Sequence, residues 1–186
     1  MDQQAVSCPS PRPAAPASGD VRVLTRTTGI EVWCPHYPGF IERAMVLGGA
    51  FANGRWHFAV GMVERVRDAC VRSFGTTGDD APDLCIARVH LGAVQDRGSL
   101  FLLGRELARR AGPKHHVQLG PGVTLVEGGF YRTGGGLGRP RLAPFANTIL
   151  EVRDVPLVLA VEAERVLPDV VAVVEVTRST VCHDAE

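Results

Sequence analysis

The spacing of apolar residues changes along residues 38–75, and each spacing predicts a different secondary-structure element. The apolar residues first recur every three or four positions, which predicts an amphipathic helix that ends at Gly48-Gly49. Asn53-Gly54 is the preferred central pair of a two-residue type I′ hairpin turn. Alternation over residues 55–60 predicts a strand with one buried face, and a second helical stripe runs on to Gly75. The apolar positions are Phe40, Ile41, Ala44, Met45 and Leu47, then Trp56, Phe58 and Val60, then Met62, Val63, Val66, Ala69, Cys70 and Phe74.

Residues 21–76 form the first predicted unit. The segments VRVLTRT and IEVWC flank Thr28-Gly29 and predict a hairpin ahead of the first helix. The unit is therefore a small hairpin-helix-hairpin-helix module. Residues 1–20 precede it, and their Pro, Ala and Ser content predicts a disordered leader.

Residues 84–178 form the second predicted unit, after a polar hinge, TTGDDAPD. Its apolar runs predict strands in LCIARVHL, SLFLL, GVTLVEGG, NTILEVRD and VVAVVEV, and helices in GRELARRAG and VPLVLAVEAERVLP. The predicted fold class is therefore α+β, with the module followed by a mostly β mixed sheet and one or two helices. Residues 179–186 are expected to form a flexible tail.

The first unit also resembles a known family. An apolar helix, a Gly-Gly break, an Arg-Trp-apolar strand and a second amphipathic helix resemble the HARP-type module of annealing helicases, which has related free-standing versions in phage and plasmid proteins. The resemblance covers residues 30–75 and is carried by Phe40, Leu47, Gly48, Gly49, Arg55, Trp56 and Phe58. That family engages DNA at strand junctions, so the resemblance implies a DNA-facing role for Arg55 and His57. Nothing here resembles a GxxxxGKS or GxxxxGKT phosphate-binding loop, so ATP-driven activity is left without support.

The net charge of zero conceals a strong asymmetry along the chain. Residues 1–83 hold eight Arg and nine acids, residues 84–145 hold eight Arg, one Lys and three acids, and residues 146–186 hold three Arg and eight acids. The three segments therefore carry −1, +6 and −5. A basic middle beside an acidic end suggests a polyanion-binding face, and the alternative is an ordinary surface on which these charges interleave.

No apolar run reaches the roughly 20 residues that a membrane-spanning helix needs, and the N-terminus lacks the pattern of a secretory signal. We therefore expect a cytoplasmic protein without a membrane partner. The five cysteines include no C-x-x-C pair, which argues against a disulfide framework or a zinc knuckle.

The predicted nucleic-acid contacts are basic residues in both units. They are Arg55, His57, Arg109, Arg110, Lys114, Arg132, Arg139 and Arg141. Arg132, Arg139 and Arg141 belong to a glycine-rich loop over residues 128–141, where Phe130 and Tyr131 could stack on bases. A flexible hairpin loop with solvated Arg side chains is the alternative. The cluster around Arg109 could instead be cations at the end of a helix.

Metal and hydrolytic sites receive less support. His115-His116 could join Cys34, His36, His90 or His183, but adjacent strand residues point to opposite faces, so we expect no metal. Glu127, Glu151 and Asp154 could hold Mg²⁺ in a nuclease, and the alternative is solvated turn residues. Trp33 and Trp56 are more typical of a core than of a stacking platform.

Three functions follow from these features. The first is a non-catalytic accessory protein, encoded by a mobile element, that binds DNA or structured nucleic acid through phosphate contacts and needs no cofactor. The second is an interaction or inhibitor protein that docks on a partner protein. The third is a metal-dependent nuclease. The sequence identifies no reaction and favours the non-catalytic role.

Overall fold

The computed structural model describes residues 20–79, 81–92, 98–132 and 140–177, and the elements below belong to that part of the chain. It has the predicted α+β fold, with three helices and three antiparallel sheets. The strands are β1 (Arg22–Arg26), β2 (Gly29–Trp33), β3 (Ala50–Ala52), β4 (Arg55–Phe58), β5 (Leu84–His90), β6 (Ser99–Leu102), β7 (Arg105–Arg109), β8 (Gln118–Leu119), β9 (Val123–Glu127), β10 (Ile149–Pro156) and β11 (Val171–Thr177). The helices are α1 (Pro38–Val46), α2 (Val63–Phe74) and α3 (Leu157–Val166), and a 3-10 turn (Val60–Met62) leads into α2.

The first sheet has the strand order β1-β2-β4-β3, and one of its faces packs against α1 and α2. The hairpin between β3 and β4 turns at Asn53 and Gly54, whose φ angles are 53° and 77°. Two positive φ angles are what a type I′ turn requires, so this prediction is confirmed. The resulting register sends Trp56 and Phe58 into the core and leaves Arg55 and His57 on the outer face.

The Gly48-Gly49 pair ends α1 in a Schellman motif. The Gly49 amide donates to the Ala44 carbonyl at 2.8 Å, and the Gly48 amide donates to the Met45 carbonyl at 3.0 Å. Gly48 has a φ of 74°, in the left-handed region that favours glycine. Gly49 is required for a different reason, since a Cβ atom there would lie 2.5 Å from the Phe58 ring.

The second region contains two antiparallel sheets in place of the single mixed sheet expected. One has the order β11-β5-β10-β9 and the other has the order β6-β7-β8. Helix α3 lies where the sequence predicts it and packs against β11, β10 and β5. The buried apolar side chains form two clusters, one in the module and one in the second region.

The two regions are in contact. A Cβ atom at Gly75 would lie 2.5 Å from Pro156, and one at Gly104 would lie 2.7 Å from the Ser73 carbonyl oxygen. The Tyr37 and Phe101 rings also meet, with their centroids 6.4 Å apart. The glycines therefore allow the end of α2 to approach β10 and the turn before β7 closely.

The helix predicted in GRELARRAG is wrong. Residues Arg105–Arg109 form β7, which pairs with β6 across a two-residue turn at Leu103 and Gly104. Both turn residues have positive φ angles, 53° and 75°, and Leu103 is buried in the core. Leucine is rarely found in the left-handed region, so the composition gave no sign of this hairpin.

Two apolar positions of the module do not lie in the core as expected. Val60 belongs to the 3-10 turn and is 45% exposed, because β4 ends at Phe58. Met45 is 66% exposed, because Phe40 and Ala44 are the side chains by which α1 is buried. The predicted leader up to residue 19, loop residues 133–139, residue 178 and the predicted tail (179–186) lie outside the described residues. In the described part of the chain, no helix combines the length and apolar character needed to span a bilayer.

Replacing Gly49 with alanine should lower the free energy of unfolding by about 1–3 kcal/mol, because the new methyl group would collide with the Phe58 ring and the Ala44 carbonyl oxygen. Gly61→Ala is the control, since a Cβ atom there meets no heavy atom within 4 Å. Urea denaturation followed by circular dichroism measures both. Equal destabilisation by the two substitutions would contradict the role assigned to Gly49.

Candidate nucleic-acid interface

A buried arginine organises the basic part of the second region. Arg110 follows β7 directly and is only 2% exposed. Its Nη1 donates to the Arg132 carbonyl at 3.1 Å, and its Nη2 donates to the Tyr131 carbonyl. The structure therefore corrects the prediction that Arg110 contacts phosphates, because its guanidinium group is occupied by backbone carbonyls and closed off from solvent.

Arg110 also brings together segments that are far apart in the sequence. Its backbone amide donates to the Gly98 carbonyl at 2.6 Å. A Cβ atom at Gly98 would lie 3.3 Å from Pro140, so the chain beside Arg141 is close as well. The Arg110 side chain thus binds the chain at Tyr131 and Arg132, and its backbone binds Gly98, which lies beside Pro140.

Four exposed cations of the second region lie close to this buried arginine in the sequence or in space. Arg109 precedes it, Lys114 follows it by four residues, Arg132 is bonded to it through a carbonyl, and Arg141 adjoins Pro140. All four side chains are exposed, and none forms an ion pair within the described residues. The only polar partner of the Arg109 guanidinium there is the Gln118 amide oxygen, at 3.2 Å.

An exposed aromatic pair lies close in the sequence to two of these cations, Arg132 and Arg141. Tyr131 is 57% exposed and Phe145 is 36% exposed, and their rings meet edge to face with centroids 4.8 Å apart. The backbone holds the pair in place, because the Tyr131 amide donates to the Ala143 carbonyl and the Phe145 amide donates to the Gly129 carbonyl. Phe130, in contrast, packs against the core, so Tyr131 and Phe145 are the aromatic residues available for stacking.

The loop that carries this pair is anchored to the sheet. The Thr148 hydroxyl is buried, donates to the Gly129 carbonyl at 2.7 Å and accepts from the Gly129 amide at 3.2 Å. The described parts of this loop, up to Arg132 and from Pro140, therefore extend the β9–β10 hairpin. We call Arg109, Lys114, Arg132, Arg141, Tyr131 and Phe145 the basic face.

The outer face of the first sheet holds the other predicted contacts, and these are partly neutralised. Glu31 lies on β2 opposite His57 on β4. Its carboxylate is 3.5 Å from the Arg55 guanidinium, 3.3 Å from the Arg26 guanidinium and 4.0 Å from the His57 imidazole. Because one carboxylate serves all three groups, the local charge is smaller than the number of basic residues suggests.

Trp33 also lies on this outer face. The Arg55 guanidinium carbon is 5.3 Å from the centre of its indole ring, a cation–π distance. On the other side, the β1–β2 register places Arg22 opposite Trp33, and Arg22 is exposed. Of the two tryptophans expected in the core, only Trp56 is buried. We call Arg22, Arg26, Glu31, Trp33, Arg55 and His57 the module face.

The acidic residues considered for a metal site are engaged in other contacts or stand apart. Glu127 accepts a hydrogen bond from the Asn147 amide at 3.0 Å, and Glu151 pairs with Arg153 at 3.4 Å. In the described part of the chain, no three His, Cys, Asp or Glu side chains are grouped as metal ligands.

Burial raises the pKa of the Cys34 and Cys70 thiols to about 12, so both are uncharged at neutral pH.

Arg105 is a further partly buried cation that the sequence did not single out. Its guanidinium donates to the Arg153 carbonyl at 3.2 Å and to the Asp154 carbonyl at 2.5 Å. Burial lowers the pKa of Arg105, and the Asp154 carboxylate opposes that effect. Asp154 has a φ of 54° at an irregularity in the β10–β5 pairing, so Arg105 braces a distorted strand.

The structure thus divides the predicted contacts into groups. Arg109, Lys114, Arg132 and Arg141 are exposed on the basic face, Arg55 and His57 lie beside Glu31, and Arg110 is buried. Arg139 lies outside the described residues. The sequence analysis did not single out Phe145. Its contact with Tyr131 depends on the backbone pairing of Tyr131 with Ala143 and of Phe145 with Gly129, which the sequence does not reveal.

Comparison with known proteins yields no match to this chain among family models, curated proteins or solved structures. The resemblance to the HARP-type module therefore stays a prediction.

Replacing Arg110 with methionine should lower the free energy of unfolding by about 1–3 kcal/mol for each carbonyl that loses its partner. The amide of Tyr131 should also exchange its hydrogen faster, because the backbone beside it is no longer held. Arg109→Met is the control, as it removes a neighbouring but exposed guanidinium and should leave both quantities nearly unchanged. Hydrogen exchange followed by NMR is the measurement, and unchanged exchange at Tyr131 would refute the anchoring role.

Proposed function

We propose that this protein binds nucleic acid through the basic face and does so without catalysis. The observation that carries the proposal is an exposed aromatic pair flanked by exposed cations that have no carboxylate partner within the described residues. An unpaired cation can neutralise a phosphate and release the counterion bound to the nucleic acid there, whereas a cation paired with a carboxylate must first give up that partner. The neutralised groups on the module face are weaker candidates by the same reasoning.

The aromatic pair favours single-stranded over double-stranded nucleic acid. In a duplex the faces of the bases are stacked on one another, whereas in a single strand they are free to stack on Tyr131 or Phe145. Base stacking tolerates any sequence because every base has an aromatic face. We therefore expect weak sequence preference and a steep dependence of affinity on salt.

The module face is a second, weaker contact surface in this proposal. Trp33 lies between Arg22 and Arg55 on a solvent-facing sheet, which is a suitable arrangement for a base and its phosphates. The resemblance to the HARP-type module supports DNA as the ligand and a phage or plasmid as the source. A cytoplasmic location, where such DNA is handled, belongs to the same proposal.

The other two functions are supported unequally. For a nuclease, the described residues provide no grouped metal ligands, so no observation favours it over simple binding. For a protein-interaction role, the exposed apolar side chains on α3 and β11 are a specific supporting feature.

Replacing Arg132 and Arg141 with glutamine should weaken binding to single-stranded DNA and flatten its salt dependence. The plot of log affinity against log salt should lose about 0.7 of slope for each phosphate contact removed, or about 1.4 in total. Fluorescence anisotropy with a labelled oligonucleotide, titrated at several salt concentrations, measures this slope.

The matched control for that variant is Arg72→Gln with Arg153→Gln. These two arginines are also exposed, but each is paired with a carboxylate, Asp68 or Glu151. The control loses the same formal charge and should keep the slope of the unmodified protein. A salt-independent affinity, or equal loss in both double variants, would rule out binding through the basic face.

Replacing Glu31 with glutamine tests the module face. The change releases Arg26 and Arg55 from their carboxylate partner, so binding should tighten and the salt slope should steepen by about 0.7 for each guanidinium that gains a phosphate. Glu151→Gln is the control, because its partner Arg153 belongs to neither face. The same anisotropy titration applies, and identical curves for both variants would remove the module face from the proposal.

A further inference from the structure

Helix α3 and strand β11 present an apolar surface to solvent. Six of their side chains, or of those just beyond α3, are between 39% and 56% exposed: Val158, Val161, Val166, Leu167, Val174 and Val176. The two elements pack against each other, so these exposed side chains belong to one helix–strand unit. Ala160 is the only side chain of α3 that is fully buried, so much of the helix surface remains uncovered.

The same surface is acidic. Residues 157–177 contain Glu162, Glu164, Asp169 and Glu175 against Arg165 alone, which gives −3. Glu162 is paired with Arg165 at 2.7 Å, and Glu164 accepts from the Val173 amide. Asp169 and Glu175 are exposed and have no ion-pair partner within the described residues. We call residues 157–177 the acidic patch.

An apolar surface of this kind invites a partner, and its charge restricts the choice. Two copies meeting patch to patch would oppose like charges, which disfavours a symmetric dimer through this surface. The partner should instead carry cations around apolar or aromatic side chains. The basic face of the same protein has that composition, with Arg132 and Arg141 beside Tyr131 and Phe145.

Within the described residues, no hydrogen bond, ion pair or ring contact joins the two surfaces in one copy. The order β11-β5-β10-β9 places β11 at one edge of the sheet. Tyr131, Arg132, Arg141 and Phe145 belong to the loop of the β9–β10 hairpin, which leaves the sheet beyond Glu127 and Ile149. Both surfaces are therefore exposed, and a second copy can bring its basic face against the acidic patch.

We propose that this protein associates with itself head to tail, with the acidic patch of one copy bound to the basic face of the next. Such a contact joins two different surfaces, so it builds a ring or an open chain in place of a closed symmetric pair. Because the basic face is occupied in the assembly, nucleic acid and self-association compete. The inference shares that face with the proposed function but does not require nucleic-acid binding.

Sedimentation velocity of the full-length protein tests the proposal. At low salt the average mass should rise with concentration, and at about 1 M salt, where charges are screened beyond about 3 Å, it should fall to that of a monomer. Glu175→Arg should abolish association by spoiling the acidic patch, and Arg132→Glu should abolish it by spoiling the basic face. Glu42→Arg and Arg65→Glu, on exposed positions of the module helices, are the charge-matched controls and should associate like the unmodified protein.

Mixing the two disruptive variants gives the decisive result. Glu175→Arg keeps an intact basic face and Arg132→Glu keeps an intact acidic patch, so the mixture should form heterodimers that neither variant forms alone. Monomers throughout, association of Glu175→Arg by itself, or no complex in the mixture would each overturn the inference. If heterodimers form but a single-stranded oligonucleotide neither binds nor dissociates the assembly, the proposed function fails and the self-association stands.

Discussion

The burial of Arg110 is the interaction on which the basic face depends. A charged side chain taken out of water must find strong acceptors, and here the carbonyl groups of Tyr131 and Arg132 provide them. Its Nε atom has no hydrogen-bond acceptor within the described residues, so these two carbonyls are the acceptors that compensate the burial of the guanidinium charge. In satisfying one cation, the chain fixes the backbone that displays Arg132 and holds Tyr131 against Phe145. One arginine is thus withdrawn from binding, and its burial keeps its neighbours in place.

The two basic surfaces differ because a single carboxylate is present on one of them. Glu31 is 15% exposed and close to three basic groups, so the module face is held together by its own ion pairs. Ion pairs of this partly exposed kind contribute little to stability, and they reduce the charge that a phosphate would meet. On the basic face the Arg109 guanidinium contacts the amide oxygen of Gln118, and no carboxylate pairs with the cations within the described residues. The charge of this face therefore remains available to a ligand.

Local signals predicted the module well and the second region less well, for a physical reason. The Gly48-Gly49 end of α1 and the Asn53-Gly54 turn act through backbone angles that a few adjacent residues decide, so they are visible in the sequence. The β6–β7 hairpin turns instead on a left-handed Leu103, which only its burial in the core makes tolerable. The burial of Arg110 likewise depends on carbonyls more than twenty residues away, and Glu31 reaches Arg55 only through strand register.

The distribution of charge along the chain acquires a meaning from the sheet order. The order β11-β5-β10-β9 alternates strands of the acidic segment with strands of the basic segment, and Arg88 on β5 lies opposite Glu151 on β10. The sheet therefore brings part of the opposite charge together. Asp169 and Glu175 on one side, and Arg132 and Arg141 on the other, are exposed and have no ion-pair partner within the described residues. Unpaired charges of this kind act mainly on the choice and rate of partners. In the two proposals, a polyanion and the acidic patch of another copy are alternative ligands for the same basic face, and salt weakens both.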